Sequence, residues 1–118
     1  MNFTLHPHSW GILAEYIILI RYILSGYYPL KHRVKFSSGE IDLIFKKGNK
    51  IVFVEVKARQ GEYYEDNIVS KVQRKRLKKS AEYFLSKTNQ DFDETRFDLA
   101  VVSSFFRSKI YKNFIFDM

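Results

Sequence analysis

The order of segments along the chain predicts an α/β fold: a small mixed β-sheet flanked by helices, in the order α-β-β-β-α-β-β. Three observations carry this. An apolar helical pattern opens the chain, a hairpin signal lies in its middle, and a second helical pattern there is followed by two more apolar runs. Ser9 can cap the first helix, which runs to about Ser25 with Gly26 as its stop. Ile12, Ile17, Ile20 and Leu24 are expected on its buried side. Tyr27 to Phe36 alternates weakly and contains Pro29, which suits an edge or irregular strand. Glu40 to Phe45 and Ile51 to Lys57 are β-branched and aromatic runs around Lys46-Lys47-Gly48-Asn49-Lys50, the signature of a β-hairpin. Arg59 to Asp66, with Gly61 and the Tyr63-Tyr64 pair, reads as a polar loop. Asp66 or Asn67 can cap a second helix reaching about Lys87, with Val69, Gln73, Leu77, Ala81 and Phe84 inward. After a polar loop from Thr88 to Glu94 come strands over Phe97 to Val102 and Lys109 to Phe116.

At 118 residues the chain is expected to be one domain, residues 1–118, with 1–8 as a flexible tail. It is 46% hydrophobic and 17% aromatic with two prolines, a globular rather than disordered composition. The absence of cysteine excludes disulfides, thiolate zinc sites and cysteine nucleophiles, and fits a cytoplasmic location. A net charge of +7 favours a polyanionic partner, nucleic acid first. The most apolar stretch, Trp10 to Leu24, is interrupted by Glu15 and Arg21 and is shorter than the roughly 20 residues that a bilayer requires. No signal peptide or membrane partner is expected.

If the hairpin loop holds two or four residues, facing residue numbers sum to 97, which sets Asp42 opposite Glu55 and Glu40 opposite Lys57. Alternation puts Ile41, Leu43, Phe45, Val52, Val54 and Val56 on one face. The other carries Glu40, Asp42, Ile44, Phe53, Glu55 and Lys57. Two carboxylates directly opposite destabilise a sheet, so a chain that keeps them has another use for them. Hard cations such as Mg²⁺ or Mn²⁺ take oxygen ligands and assist phosphodiester hydrolysis. Asp42 and Glu55 would be the ligands, with the backbone carbonyl of Val56 as a third and Lys57 orienting water or neutralising transition-state charge. The plainer reading is a solvated hairpin face with a Glu40–Lys57 ion pair of little energetic weight.

An acidic residue, about a dozen positions and then Glu-x-Lys resembles the PD-(D/E)xK, restriction-endonuclease-like nucleases. The longer runs Gly39-Glu40-Ile41-Asp42-Leu43-Ile44, Phe53-Val54-Glu55-Val56-Lys57-x-Arg59 and Arg96-Phe97-Asp98 resemble the YraN family of bacterial predicted endonucleases. Gly11-Ile12-Leu13-Ala14-Glu15 and Gly26-Tyr27 echo its first helix and the turn after it. The resemblance covers about residues 10 to 116. It implies a three-layer restriction-endonuclease-like core, Asp42 and Glu55 as metal ligands, Lys57 as the catalytic lysine, and Glu15 as an additional acid near the metal. Two positions depart from the family pattern: Ala14 replaces a glycine, and Gln73 stands where a lysine is usual.

Lys71, Arg74, Lys75, Arg76, Lys78 and Lys79 place six positive charges in nine residues. Of these, Lys71, Arg74, Lys75, Lys78 and Lys79, with Gln73, are the candidate nucleic-acid face, joined by Lys31, His32, Arg33 and Lys35. A solvated helix surface explains the same run. Glu40, Arg59 and Asp98 are weaker candidates, Asp98 being explained equally well by an ion pair with Arg96. His6 and His8 are not spaced as metal ligands. The expectation is a metal-dependent endonuclease cleaving DNA in a structure-directed or weakly sequence-specific way, as a monomer or homodimer. The alternatives are a non-catalytic nucleic-acid-binding or assembly module and an RNA-processing nuclease.

Overall fold

The computed structural model describes residues 7–59 and 69–114. Its elements are α1 (Pro7–Leu24), β1 (Tyr28–Phe36), β2 (Gly39–Lys47), β3 (Lys50–Ala58), α2 (Lys71–Lys87), β4 (Glu94–Ser104) and β5 (Arg107–Tyr111). This is the α-β-β-β-α-β-β order the sequence predicts. The expected loop with Gly61, Tyr63 and Tyr64, the caps at Asp66 and Asn67, His6 and the strand end at Phe116 lie outside the described residues.

The five strands form one sheet in the order β1-β2-β3-β4-β5. Neighbours are antiparallel except β3 and β4, which pair in parallel from Lys50–Glu94 to Ala58–Val102. A parallel neighbour cannot be reached by a tight turn, so the chain crosses over between them, and α2 lies on that crossover. The helices cover opposite faces. On one, Ala14, Ile18 and Tyr22 of α1 pack on Leu43, Phe45, Val52, Val54, Ala100 and Val102. On the other, Leu77 and Ala81 of α2 pack on Ile41, Ile44, Ile51, Phe53, Phe97, Leu99 and Val101. Phe53 is fully buried, stacked on Phe97 at 5.5 Å and meeting Phe84 edge-on at 5.9 Å. Burial of such a side chain contributes about 1.5–3 kcal/mol.

The hairpin has the expected register near its turn. The expected facing pairs Asp42–Glu55 and Glu40–Lys57 do not form, because the strands part where the Asp42 side chain takes the Val56 N–H. Lys47–Lys50 closes a two-residue Gly48-Asn49 loop, and pairs whose numbers sum to 97 continue to Leu43–Val54. Gly48 sits at φ 60°, a left-handed position that glycine adopts without steric cost. The first helix ends as predicted. Gly26, at φ 90°, donates to Ile23 O, and Tyr27 donates to Tyr22 O, closing the Schellman pattern.

Several expectations are corrected. Ile20 and Leu24 are 56% and 83% exposed, and α1 instead buries Ala14, Glu15, Ile18 and Tyr22. A helix apolar on every side shows no stripe, so the sheet selects the face, with Tyr22 stacked on Phe45 at 4.6 Å. The helix also starts at Pro7, inside the expected tail, in a first turn where proline's missing N–H costs nothing. Ile41 packs under α2 rather than with Leu43 and Phe45 under α1. The cap of α2 is Ser70, whose Oγ accepts from Gln73 N at 3.1 Å. β4 extends from Glu94 to Ser104, and β5, Arg107–Tyr111, starts two residues before the expected Lys109. β1 is an edge strand as expected, with its register shifting between Pro29 and Lys31. Among the described residues no helix is long and apolar enough to cross a membrane.

Candidate functional site

The β2–β3 pairing reaches Leu43–Val54 and stops, and the Asp42 side chain takes over the next backbone donor. Val56 N–H donates to Asp42 Oδ2 at 2.8 Å. This bond fixes a short carboxylate at the point where the two strands part. Glu55, only 4% exposed, lies within hydrogen-bonding reach of Asp42 on the α2 side of the sheet. Burial, first, and then the neighbouring Asp42 push the Glu55 carboxyl well above the ordinary carboxylate range. Lys57 and Gln73 pull it back less strongly.

The wall opposite comes from α2. Ser70 caps α2, and Gln73, Arg76 and Leu77 of its first turns line the pocket. Gln73 Nε2 donates to Glu55 Oε2 at 3.2 Å. Ser38 and Ser80 hydroxyls, 2.7 Å apart, tie the β1–β2 turn to the same helix. Between these elements lies an open pocket of about 310 Å³ lined by Gly39, Glu40, Asp42, Glu55, Lys57, Gln73, Arg76 and Leu77. Gly39 stands there at φ 150°, a backbone conformation that strains any larger residue. Among the described residues, Lys57 and Arg76 have no hydrogen-bond or ion-pair partner.

The pocket therefore brings together Asp42, Glu55, Lys57, Gln73 and Glu40. Arg76 joins them, a residue that sequence reasoning counted among the helix cations but did not single out. Its only signal is its place one turn beyond Gln73, on the same face. The donor chemistry suits a hard divalent cation: two neighbouring carboxylates, one of them buried, offer oxygen ligands whose mutual repulsion a cation would offset. Among the described residues no group of three or more acidic or imidazole side chains converges as a metal cluster.

Glu15 does not line this pocket: it lies on α1, which covers the other face of the sheet, near enough to Asp42 to feel its charge. It is 5% exposed on α1, and Arg33 Nε lies 3.1 Å from each of its carboxylate oxygens. Arg33 Nη2 adds a contact at 3.0 Å, and His32 Nε2 approaches at 3.7 Å. His32 and Arg33 are thus drawn onto an acid rather than left in the basic footprint. Burial pushes the Glu15 carboxyl up, Arg33 pulls it back, and the charge of Asp42 raises it again.

The weaker candidates fall elsewhere. Asp98 is fully buried on the α1 side of the sheet. It accepts from Tyr22 OH at 2.6 Å, Arg96 Nε and Nη2 at 2.8 and 2.9 Å, and Asn113 N at 3.0 Å. Arg59, beyond the end of β3, hydrogen-bonds Ala58 O. Arg74 folds over the Phe114 ring at 4.5 Å. Lys71, Lys75, Lys78 and Lys79 are exposed on α2.

A family model described as "Uncharacterised protein family UPF0102" matches residues 14–102, a span that holds every pocket residue named above. A UPF0102 protein of Rhizobium leguminosarum is 37% identical over 93 residues, covering 78% of this chain and 76% of the relative. One of Symbiobacterium thermophilum is 39% identical over 80 residues, covering 66% and 68%. One of Methylorubrum populi reaches 52% identity over 52 residues, covering 44% and 42%.

Proposed function

The chain belongs to the uncharacterised family UPF0102, the YraN family, and on that premise we propose that it is a metal-dependent endonuclease hydrolysing phosphodiester bonds in DNA. The observation that carries this reading is the closeness of Asp42 and Glu55, two acids in a pocket that Glu40 also lines and whose cations, Lys57 and Arg76, hydrogen-bond no acid among the described residues. A protein that needed only stability would separate such acids or neutralise them.

Asp42, Glu55 and the carbonyl of Val56 would hold Mg²⁺ or Mn²⁺. When bound, the ion supplies Lewis acidity at a phosphoryl oxygen and an acidified water. Asp42 is kept in place by Val56 N–H, and Glu55 by Gln73, so both carboxylates are oriented before any ligand arrives. Lys57, on the same strand as Glu55, positions the attacking water and offsets charge developing on the phosphate. The exposed lysines 71, 75, 78 and 79 continue the positive surface outward from the pocket and would track the backbone without reading bases. We propose the cytoplasm as its place of work, a setting the cysteine-free composition suits, with the chain acting as a monomer or homodimer.

Gln73 favours a second reading, a non-catalytic nucleic-acid-binding or assembly module, because it neutralises no phosphate charge where the family usually has a lysine. RNA hydrolysis would use the same groups. The test is titration of Mg²⁺ or Mn²⁺ into the protein with linear, branched and single-stranded DNA and RNA. Asp42→Ala, Glu55→Ala and Lys57→Ala are expected to lower cleavage by about 100- to 1,000-fold with binding retained. Salt-sensitive binding with no cleavage in any metal would establish the binding module instead.

A further inference from the structure

We infer that Arg33 holds Glu15 out of the cation site, so that the pocket takes a single divalent cation on Asp42 and Glu55. The inference rests on the metal-dependent reading above and concerns how many ions that site holds.

Arg33 is built to do this. It stands inside β1 yet at φ 56°, a left-handed conformation that costs a non-glycine residue energy. In a regular strand, neighbouring side chains point to opposite faces. Here His32 and Arg33 both reach Glu15, at 3.7 and 3.0 Å. The strained residue therefore brings a guanidinium to the α1 side, where its Nε and Nη2 engage the carboxylate. Both Glu15 oxygens lie 3.1 Å from Nε, so neither is left without a cation beside it. Such two-point pairs are among the stronger charge-assisted contacts.

The fork also lies where it matters. Asp42 is close enough for its charge to act on both Glu15 and Arg33. A second ion bridging Glu15 and Asp42 would have to displace a guanidinium that already supplies the positive charge there. Consistent with this, no three acidic or imidazole side chains among the described residues are grouped closely enough to hold a metal, Glu40 lining the pocket without closing such a group. Arg33 is thus a positioning residue acting through Glu15, and Glu15 anchors β1 to α1.

Calorimetric titration of Mn²⁺ into the full-length chain, without nucleic acid, counts the ions directly. One Mn²⁺ per chain is expected, with affinity lowered at least about tenfold in Asp42→Asn and in Glu55→Gln. Glu15→Gln should leave both the count and the affinity unchanged. Arg33→Asn, whose side chain tolerates the left-handed conformation, should gain a second Mn²⁺ that disappears when Glu15→Gln is added. Two ions in the wild type, an affinity loss in Glu15→Gln, or a folded Arg33→Asn still binding one would each overturn the inference alone. If Arg33→Asn does not fold, as judged by its thermal melt, the Glu15→Gln titration decides. No Mn²⁺ bound by the wild type would overturn both this inference and the nuclease reading.

Discussion

Asp98 and Glu55 are buried acids on adjacent strands, and they face opposite sides of the sheet with opposite electrostatic outcomes. Asp98 receives two Arg96 nitrogens, the Tyr22 hydroxyl and the Asn113 N–H, so its charge and its lone pairs are matched. Burial and the Asp98 carboxylate beside it push the Tyr22 hydroxyl well up, which keeps that donor protonated. Glu55 receives one amide from Gln73 and shares its remaining space with another acid. A satisfied buried charge fixes a fold; an unsatisfied one awaits something. The contrast separates an acid whose charge the fold matches from one whose charge it leaves open, without appeal to any motif.

The comparison can be tested from its strongest arm downward. Asp98→Ala leaves the half-buried Arg96 with only the Tyr27 hydroxyl and the buried Tyr22 hydroxyl without its acceptor, and unfolding in urea should show a loss of about 3–5 kcal/mol. A loss below about 1 kcal/mol, the range of an exposed pair, would break the comparison. Glu55→Gln should act in the other direction, raising the melting temperature at pH 8 in chelator. The sign follows from linkage: a carboxyl whose folded pKa is raised contributes stability present below its unfolded value of 4.5. That stability is lost as pH rises through the folded value. The wild type should therefore weaken from about pH 4.5 upward, and Glu55→Gln should reduce this slope. Burial pushes Glu15 the same way, so some slope remains in the variant. Thermal melts across that range, with and without Glu55→Gln, measure it. Ser70→Ala has the smallest expected effect, about 1 kcal/mol, by freeing the Gln73 N–H at the start of α2. A melt reads this directly, and a shift beyond about 2 kcal/mol would mean the cap also holds the pocket wall.

Much of the pocket is legible in the sequence because it is local. Asp42, Glu55 and Lys57 sit on one hairpin whose register follows from alternation and from the turn at Gly48-Asn49. What the sequence hides is contact between distant segments. Tyr22 meets Asp98 across 76 positions, and Arg33 meets Glu15 only because one backbone angle is left-handed. Nothing in the strand pattern announces that angle. Arg76 is indistinguishable from five other helix cations until α2 is docked. The face of α1 is illegible for the converse reason: isoleucine, leucine and tyrosine surround it, so hydrophobic period carries no information. Asp42 and Glu55 were expected as a cross-strand pair, and they meet where that pairing ends.

The parallel join between β3 and β4 bears on the order in which the chain folds. The hairpin of β2 and β3 closes over a two-residue loop and needs no other part of the chain. Placing β4 beside β3 requires a long loop to close, the slow, non-local step of this topology. Gln73 and Arg76 lie on that crossover, so a chain that has made the hairpin but not the crossover carries the two acids exposed on a bare sheet end. Docking of α2 is therefore expected to desolvate Glu55, supply its amide partner and complete the pocket. Amide exchange in α2 should therefore report the integrity of the pocket more faithfully than exchange in the strands that hold its carboxylates.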